Sequence, residues 1–283
     1  MSEKIIISSD STTDLGAELQ HRYNIHILPL QVALGDKTYH DGVDIDPDAI
    51  YRHYETAGQL PQTAAPNIGD HLDFFSALRQ EGEVVHFTIS SDMSSSYQNA
   101  CTAAQELGGV YVVDTRNLST GGGLLVLAAA EMAQQGMSAA DIAAKCRNLV
   151  DRVSASFVID DLTYLHKGGR CSALAALGAN LLQLKPSISV VDGTMIVAKK
   201  YRGKFAGALR QYIADEIGDG SKIEPAHVFI THAGCDNDLV DLCAAQVKQL
   251  LPQAQEIHVT RAGCTISSHC GRNCLGVLFI RKD

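Results

Sequence analysis

Tryptophan is absent, and aromatic residues make up only 6% of the 283 residues. A core of that composition rests on Ala, Leu, Val and Ile, as in α/β proteins whose helices pack on sheets through small side chains. A membrane-length run is also missing. The most apolar stretch, GLLVLAAAEMAQQG at 123–136, falls short of the roughly 20 residues that a span needs. The start, MSEKIIISSD, enters a strand-like segment without a secretory apolar region. A cytoplasmic chain is therefore expected, with its eight cysteines as reduced thiols. Positive charge is short: 23 Lys and Arg stand against 32 Asp and Glu, a net charge of −9. That balance disfavours nucleic acid, because phosphate backbones repel it. No phosphate-binding loop is present either. STGGG at 119–123 lacks both the GxGxxG and the P-loop spacing and reads as close helix packing.

What is present is enough apolar sequence, 46%, for one or two domains. Short β-branched runs (KIII, EVVHFTIS, VYVVD) alternate with helical stretches such as DPDAIYRHYETAG, NIGDHLDFFSALRQEG and SSSYQNACTAAQEL. IHILPLQVAL reads as one further strand. The alternation predicts a parallel sheet with helices on both faces. After about residue 150 the texture changes. Two β runs flank Asp192-Gly193, a strong hairpin signal, and strand–helix passes follow. The expected fold class is α/β in two domains. Residues 1–155 form the parallel-sheet unit; residues 156–283 form a mixed sheet with its helices on one side.

Polar loops follow the first strands of the N-terminal unit, where open parallel sheets place ligands. Ser94, Ser95 and Ser96 open a helix. They serve either as ordinary caps or as an anion site of hydroxyls and free N–H groups. Thr63 is expected in a turn before the next helix. HKGGR (166–170) and KKYRGK (199–204) concentrate the basic residues, Arg170 and Arg202 among them. They are either solvated loops or a positive lid over an anionic group. Near the C-terminus, Cys264, Cys270 and Cys274 surround His269 in a Gly-punctuated stretch. Their spacing lacks a CxxC pair, so no metal is expected. His269 next to Cys270 is poor geometry for a thiolate–base pair. Packing as small apolar side chains in a tight turn is the default for these thiols.

Taken in order, SDSTTDL, YHDGVDI, QTAAPN, SSDMSSSYQNA, LTYLHKGGR, LKPSISVVDG, the Arg202 segment and SSHCGRNCLGV resemble the DegV family of bacterial fatty-acid-binding proteins across nearly the whole chain. The resemblance implies two α/β domains with a long-chain fatty acid between them and no cofactor. It implies a lipid-binding carrier, not an enzyme, that presents the carboxylate to a separate ATP-dependent fatty acid kinase. The product is an acyl phosphate for phospholipid synthesis, and transient membrane contact is compatible with that role. On the family pattern, Thr63 and Ser94 would bind the carboxylate, with Ser95 and Ser96 beside it. Arg170, Arg202 and His269 would stand near its exposed end and support phosphoryl transfer. The sequence departs from the pattern at Ala64, Asn67, Ser95 and Cys274. The rival class is an enzyme: a phosphotransferase related to dihydroxyacetone kinases, against which the missing nucleotide loop argues, or a Cys/His hydrolase.

Overall fold

The computed structural model describes residues 4–171 and 184–282. The helix expected over CSALAALGANLLQL, a candidate wall of an acyl tunnel, falls largely outside the described residues. Strands β1 (Ile5–Asp10), β2 (His26–Leu28), β6 (Glu83–Thr88) and β7 (Val110–Asp114) form a four-stranded parallel sheet in the order β2-β1-β6-β7. Side chains alternate across it, as strand geometry requires. Ile6, Val84 and Val112 pack against α3 (Ile68–Arg79) and α4 (Ser96–Leu107). Ile7, Val85 and Val113 face α5 (Thr120–Gln134) and α6 (Ala139–Leu149). The expected parallel sheet with helices on both faces is what forms.

IHILPLQVAL is two strands rather than one. Pro29 has no N–H to give a ladder, and the chain leaves the parallel sheet there. It re-forms as β3 (Gln31–Leu34), the centre of a small antiparallel sheet with β4 (Lys37–His40) and β5 (Gln62–Ala64). Thr63 therefore lies on β5, paired with Val32, and not in the expected turn. Helix α2 (Pro47–Ala57) follows β4, capped by the Asp46 carboxylate.

The second sheet has six strands in the order β10-β9-β8-β13-β11-β12: β8 (Val153–Ile159), β9 (Leu184–Val191), β10 (Thr194–Arg202), β11 (Ile223–Ala233), β12 (Glu256–Arg261) and β13 (Cys274–Arg281). It is mixed, with β11–β12 parallel and the other pairs antiparallel. The hairpin turn forms as expected, with Asp192 and Gly193 at φ 48° and 80°. Helices cover both faces, not one. On one side α8 (Phe205–Ile217) and α9 (Asn237–Leu250) bury Val158, Val228, Ile230 and Val277. On the other lies α5, which packs against the parallel sheet as well.

That sandwiched position explains the most apolar run of the chain. A helix without a polar face must be buried all round, and Leu124, Leu125, Val126, Leu127, Ala129 and Ala130 all are. The glycines at its start permit the approach. A Cβ on Gly121 would stand 3.0 Å from the Ala155 Cβ, and one on Gly123 2.9 Å from the Thr13 carbonyl. The packing reading of STGGG therefore holds.

Gly276, in the central strand β13, is equally constrained, because a Cβ there would lie 2.5 Å from the Ser156 carbonyl oxygen. Gly276→Val should destabilise the fold by about 1–3 kcal/mol through overpacking. Urea denaturation measures this, and an unchanged midpoint would refute the packing account.

Candidate functional site

The stretch around His269 is a helix, α10 (Cys264–Cys270), where a Gly-punctuated turn was expected. Its sequence, CTISSHC, has little helix propensity of its own. Two carboxylates from the N-terminal half supply what propensity does not. Asp41 Oδ1 accepts from the Cys264 N–H at 2.7 Å and Asp41 Oδ2 from the Thr265 N–H at 3.0 Å. Asp14 Oδ1 accepts from the Gly263 N–H at 2.8 Å. The first N–H groups of a helix have no partner within it, so these acceptors fix where α10 begins. Ser11 Oγ donates to Asp41 Oδ2 at 3.1 Å, and Ser119 Oγ donates to Asp14 Oδ2 at 2.5 Å. Burial pushes the Asp14 carboxyl well above its ordinary range, and the Ser119 and Gly263 hydrogen bonds pull it back.

The end of β1 and the loop after it are thus mostly a packed polar core. Ser9, Asp10, Thr12 and Thr13 are buried. Asp10 accepts from the Ile89 N–H at 2.9 Å and from Ser96 Oγ at 3.2 Å, tying the loop to the start of α4. Sequence reading gave Asp10, Asp14 and Asp41 no individual role. The signal was there in SDSTTDL and YHDGVDI, but which N–H groups they serve depends on a segment more than 200 residues away.

So anchored, α10 brings two of the expected residues together. Thr63 Oγ1 and His269 Nε2 are 2.8 Å apart. The other ring nitrogen, Nδ1, is buried without a hydrogen bond and faces Gly168 at the end of α7 (Thr163–Gly168), where a Cβ would come within 2.7 Å of it. Glycine at 168 is what lets the imidazole sit there. Burial, aided by the positive Arg170, lowers the His269 pKa to about 4. The ring is neutral at pH 7, one nitrogen a donor and the other an acceptor.

Arg170 is exposed, and its Nη1 donates to the Gly168 carbonyl at 2.8 Å, so its guanidinium stands beside the pair. The three serines lie at the start of α4. Ser94 Oγ accepts from the Ser96 N–H at 3.2 Å. Ser95 is exposed at an ordinary φ of −75°, so the family glycine is not required there by the backbone. Ser96 turns inward to Asp10. Asn99 of α4 donates to the Pro66 carbonyl at 2.8 Å, holding α4 to the segment that follows β5. Arg202 ends β10, paired through its backbone with Leu184, and its exposed side chain has no hydrogen-bond or ion-pair partner among the described residues. No contact joins it to Thr63, His269 or Arg170 among the described residues.

Behind the pair runs an apolar seam between the two halves. Ile89, Met93 and Leu118 meet Phe157, Ile159, Leu165, Ile188, Ile266 and Cys270. A narrow cavity of about 20 Å³, room for one water, opens in it between Phe157, Ala233, Ile266, Cys270, Cys274 and Leu278. A wider cleft of about 610 Å³, walled by Lys4, Arg22, Tyr23 and Met137, lies where β1 and β6 begin, away from this corner. The thiols pack as small apolar groups: Cys264, Cys270 and Cys274 are buried and unpaired by disulfides. Burial raises Cys264, and the adjoining Cys270 together with burial raises Cys274. Neither Cys264 nor Cys274 is an activated thiolate.

Because His269 is neutral in the fold, its contribution to stability is present above about pH 6.5, the ordinary value. That contribution is lost as pH falls towards 4. Ring-proton NMR across this range should show His269 titrating near 4. A midpoint near 6.5 would contradict the burial seen here. Asp41→Asn should cost about 1–3 kcal/mol, since its amide sets donors against the N–H groups of α10. An unaltered denaturation midpoint would remove the clamp from the argument.

The chain has relatives along its whole length. The DegV domain-containing protein TTE1491 of Caldanaerobacter subterraneus is 30% identical over 99% of this chain and 100% of its own. A fatty-acid-binding DegV family protein from Thermus thermophilus superimposes with TM-score 0.87 at 28% identity, covering 99% of this chain and 100% of that one. DegV of Bacillus subtilis, described as a fatty acid binding protein, gives 0.88 at 26% identity over the same shares. The family model described as "Uncharacterised protein, DegV family" matches residues 4–282, and the chain belongs to the DegV family.

Proposed function

We propose that this protein binds a long-chain fatty acid between its two halves and presents the carboxylate to a partner ATP-dependent fatty acid kinase. The observation that carries this is the Thr63–His269 pair, held at 2.8 Å at the edge of an apolar seam. A carboxylate leaving water must be fully hydrogen-bonded. The Thr63 hydroxyl, the neutral imidazole, the Ser94 hydroxyl and the exposed Ser95 can do that without a fixed cation in direct contact, while Ser96, committed to Asp10, holds the start of α4 in place. The tail follows the seam, where each buried methylene contributes roughly 0.8 kcal/mol. The fatty-acid binding described for the Thermus and Bacillus relatives supports the ligand class.

Two working units belong to this reading. Residues 1–155 carry Thr63 and the serines, and residues 156–283 carry Arg170, Arg202 and His269, with the crossing inside β8. Arg170 borders the headgroup corner. Arg202, exposed and unpartnered among the described residues, is assigned to the docked kinase and the transferring phosphoryl group, where a guanidinium fork suits the charge. The carrier itself performs no chemistry, and the acyl phosphate feeds lipid synthesis at the membrane. No helix among the described residues is long and apolar enough to cross a membrane.

Protein purified from a bacterial host should release fatty acid on denaturation, as seen by mass spectrometry. Repeated failure to find or load any lipid would end the proposal. Ser94→Ala should weaken loading about tenfold, in line with a lost hydrogen bond to a charged group. Arg202→Ala should load normally and fail in phosphorylation by the kinase. Equal loss of loading in both variants would overturn this division of roles.

A further inference from the structure

Far from the headgroup corner, a second cluster lies on the same six-stranded sheet. His227 begins the regular part of β11, and Glu256 and His258 lie on the edge strand β12. His227 pairs with Glu256 in register, and His258 is two residues further on. All three side chains therefore project from one face. That face meets α5, which brings Glu131, and the end of α1 (Ala17–Arg22), which brings Arg22. His232, beside the α10 end of β11, is five residues from His227, about 17 Å along the strand.

We propose that His227, His258 and Glu256 form a site for a divalent transition-metal ion of the zinc type. His227 Nδ1 and His258 Nε2 face each other at 3.0 Å, and His258 Nε2 lies 3.6 Å from Glu256 Oε2. All three donor atoms lie within 4.8 Å of one another. Tetrahedral zinc, with bonds of about 2.0–2.1 Å, sets its ligand atoms about 3.3 Å apart, between the two measured separations. Two imidazoles and one carboxylate suit a borderline ion and leave a position open for water. The supporting shell is also in place. His227 Nε2 lies 2.9 Å from Glu131 Oε1, the carboxylate–histidine arrangement that holds a ligating ring in the correct tautomer. Both facing nitrogens must be unprotonated to bind metal, so neutral His258 carries its proton on Nδ1. The histidine side chains are 9% and 10% exposed and that of Glu256 38%, on a sheet edge open to entry.

Arg22 opposes the ion. Its guanidinium pairs with the Glu256 Oε2 that the metal needs. It has other partners to turn to, Glu18 at 3.7 Å and Tyr23 at 3.4 Å. Removing this competitor should therefore strengthen metal binding, which a merely hydrogen-bonded histidine pair gives no reason to expect. A bound ion would cross-link β11 to β12 and, through Glu131, hold the edge of the second sheet to α5.

The test is a titration of the full chain, stripped with a chelator, with Zn²⁺ by calorimetry and with Co²⁺ by absorption. One ion per chain should bind, with cobalt d–d bands and no thiolate charge-transfer band, and Tm should rise with added Zn²⁺. His258→Gln and His227→Gln should each weaken binding at least tenfold and abolish the Tm rise. Glu131→Gln should weaken it roughly 10–100-fold. Arg22→Gln should tighten it, a gain that misfolding cannot produce. No stoichiometric binding at micromolar Zn²⁺, a thiolate band, or unchanged affinity in the histidine variants would each overturn the site.

Discussion

A helix with no polar side has to be enclosed, and α5 is enclosed by joining two sheets. The residues of β1, β6 and β7 that face it, and those of β8, β11 and β13 on its other side, form one continuous core. The two halves are therefore fixed to each other through apolar burial and not merely tethered. Buried polar groups add register to this joint. The Thr120 hydroxyl of α5 lies 2.6 Å from that of Thr231 on β11, which lies 2.9 Å from that of Thr260 on β12. Placing threonine hydroxyls in such a core is tolerable only because each has another to bond.

The Thr63–His269 corner depends on that rigid joint. Asp14 and Asp41 from one half grip the start of α10, which is rooted in the other half. Tyr51 of α2 supports the middle of α10, its hydroxyl donating to Ser267 Oγ at 3.1 Å. His269 is then delivered to Thr63 with its second nitrogen over Gly168. Each of these contacts is short, directional and assembled from separate segments. Together they hold a neutral imidazole in a place where a charged one would be costly.

Much of the fold could be read from periodicity alone. Runs such as EVVHFTIS and VYVVD declare buried strands, Asp46-Pro47 and Asn67 with Asp70 declare helix starts, and Asp192-Gly193 declares a hairpin. The misses share a cause, since in each tertiary contacts overrode local preference. CTISSHC is helical because distant carboxylates receive its N–H groups. Thr63 is on a strand because β3, freed by Pro29, offers it an edge. Thr63 and His269 stand out in the sequence, one before a helix and the other among cysteines, but their roles came from the family resemblance, and no local pattern announces that they meet. The His227–Glu256–His258 group escaped notice for the same reason: its members sit on two strands, brought into register only by the sheet.

The distance in sequence between Thr63 and His269, 206 residues, has a consequence for synthesis. The threonine is made well before its partner. The first sheet can form while the rest is still being translated, since domains fold as they emerge. The corner cannot, because it waits for His269, made 206 residues after Thr63. A chain truncated before residue 269 lacks half of the hydrogen-bonded pair. Formation of this corner is thus tied to synthesis of the segment that carries His269, whatever the first sheet has done by then.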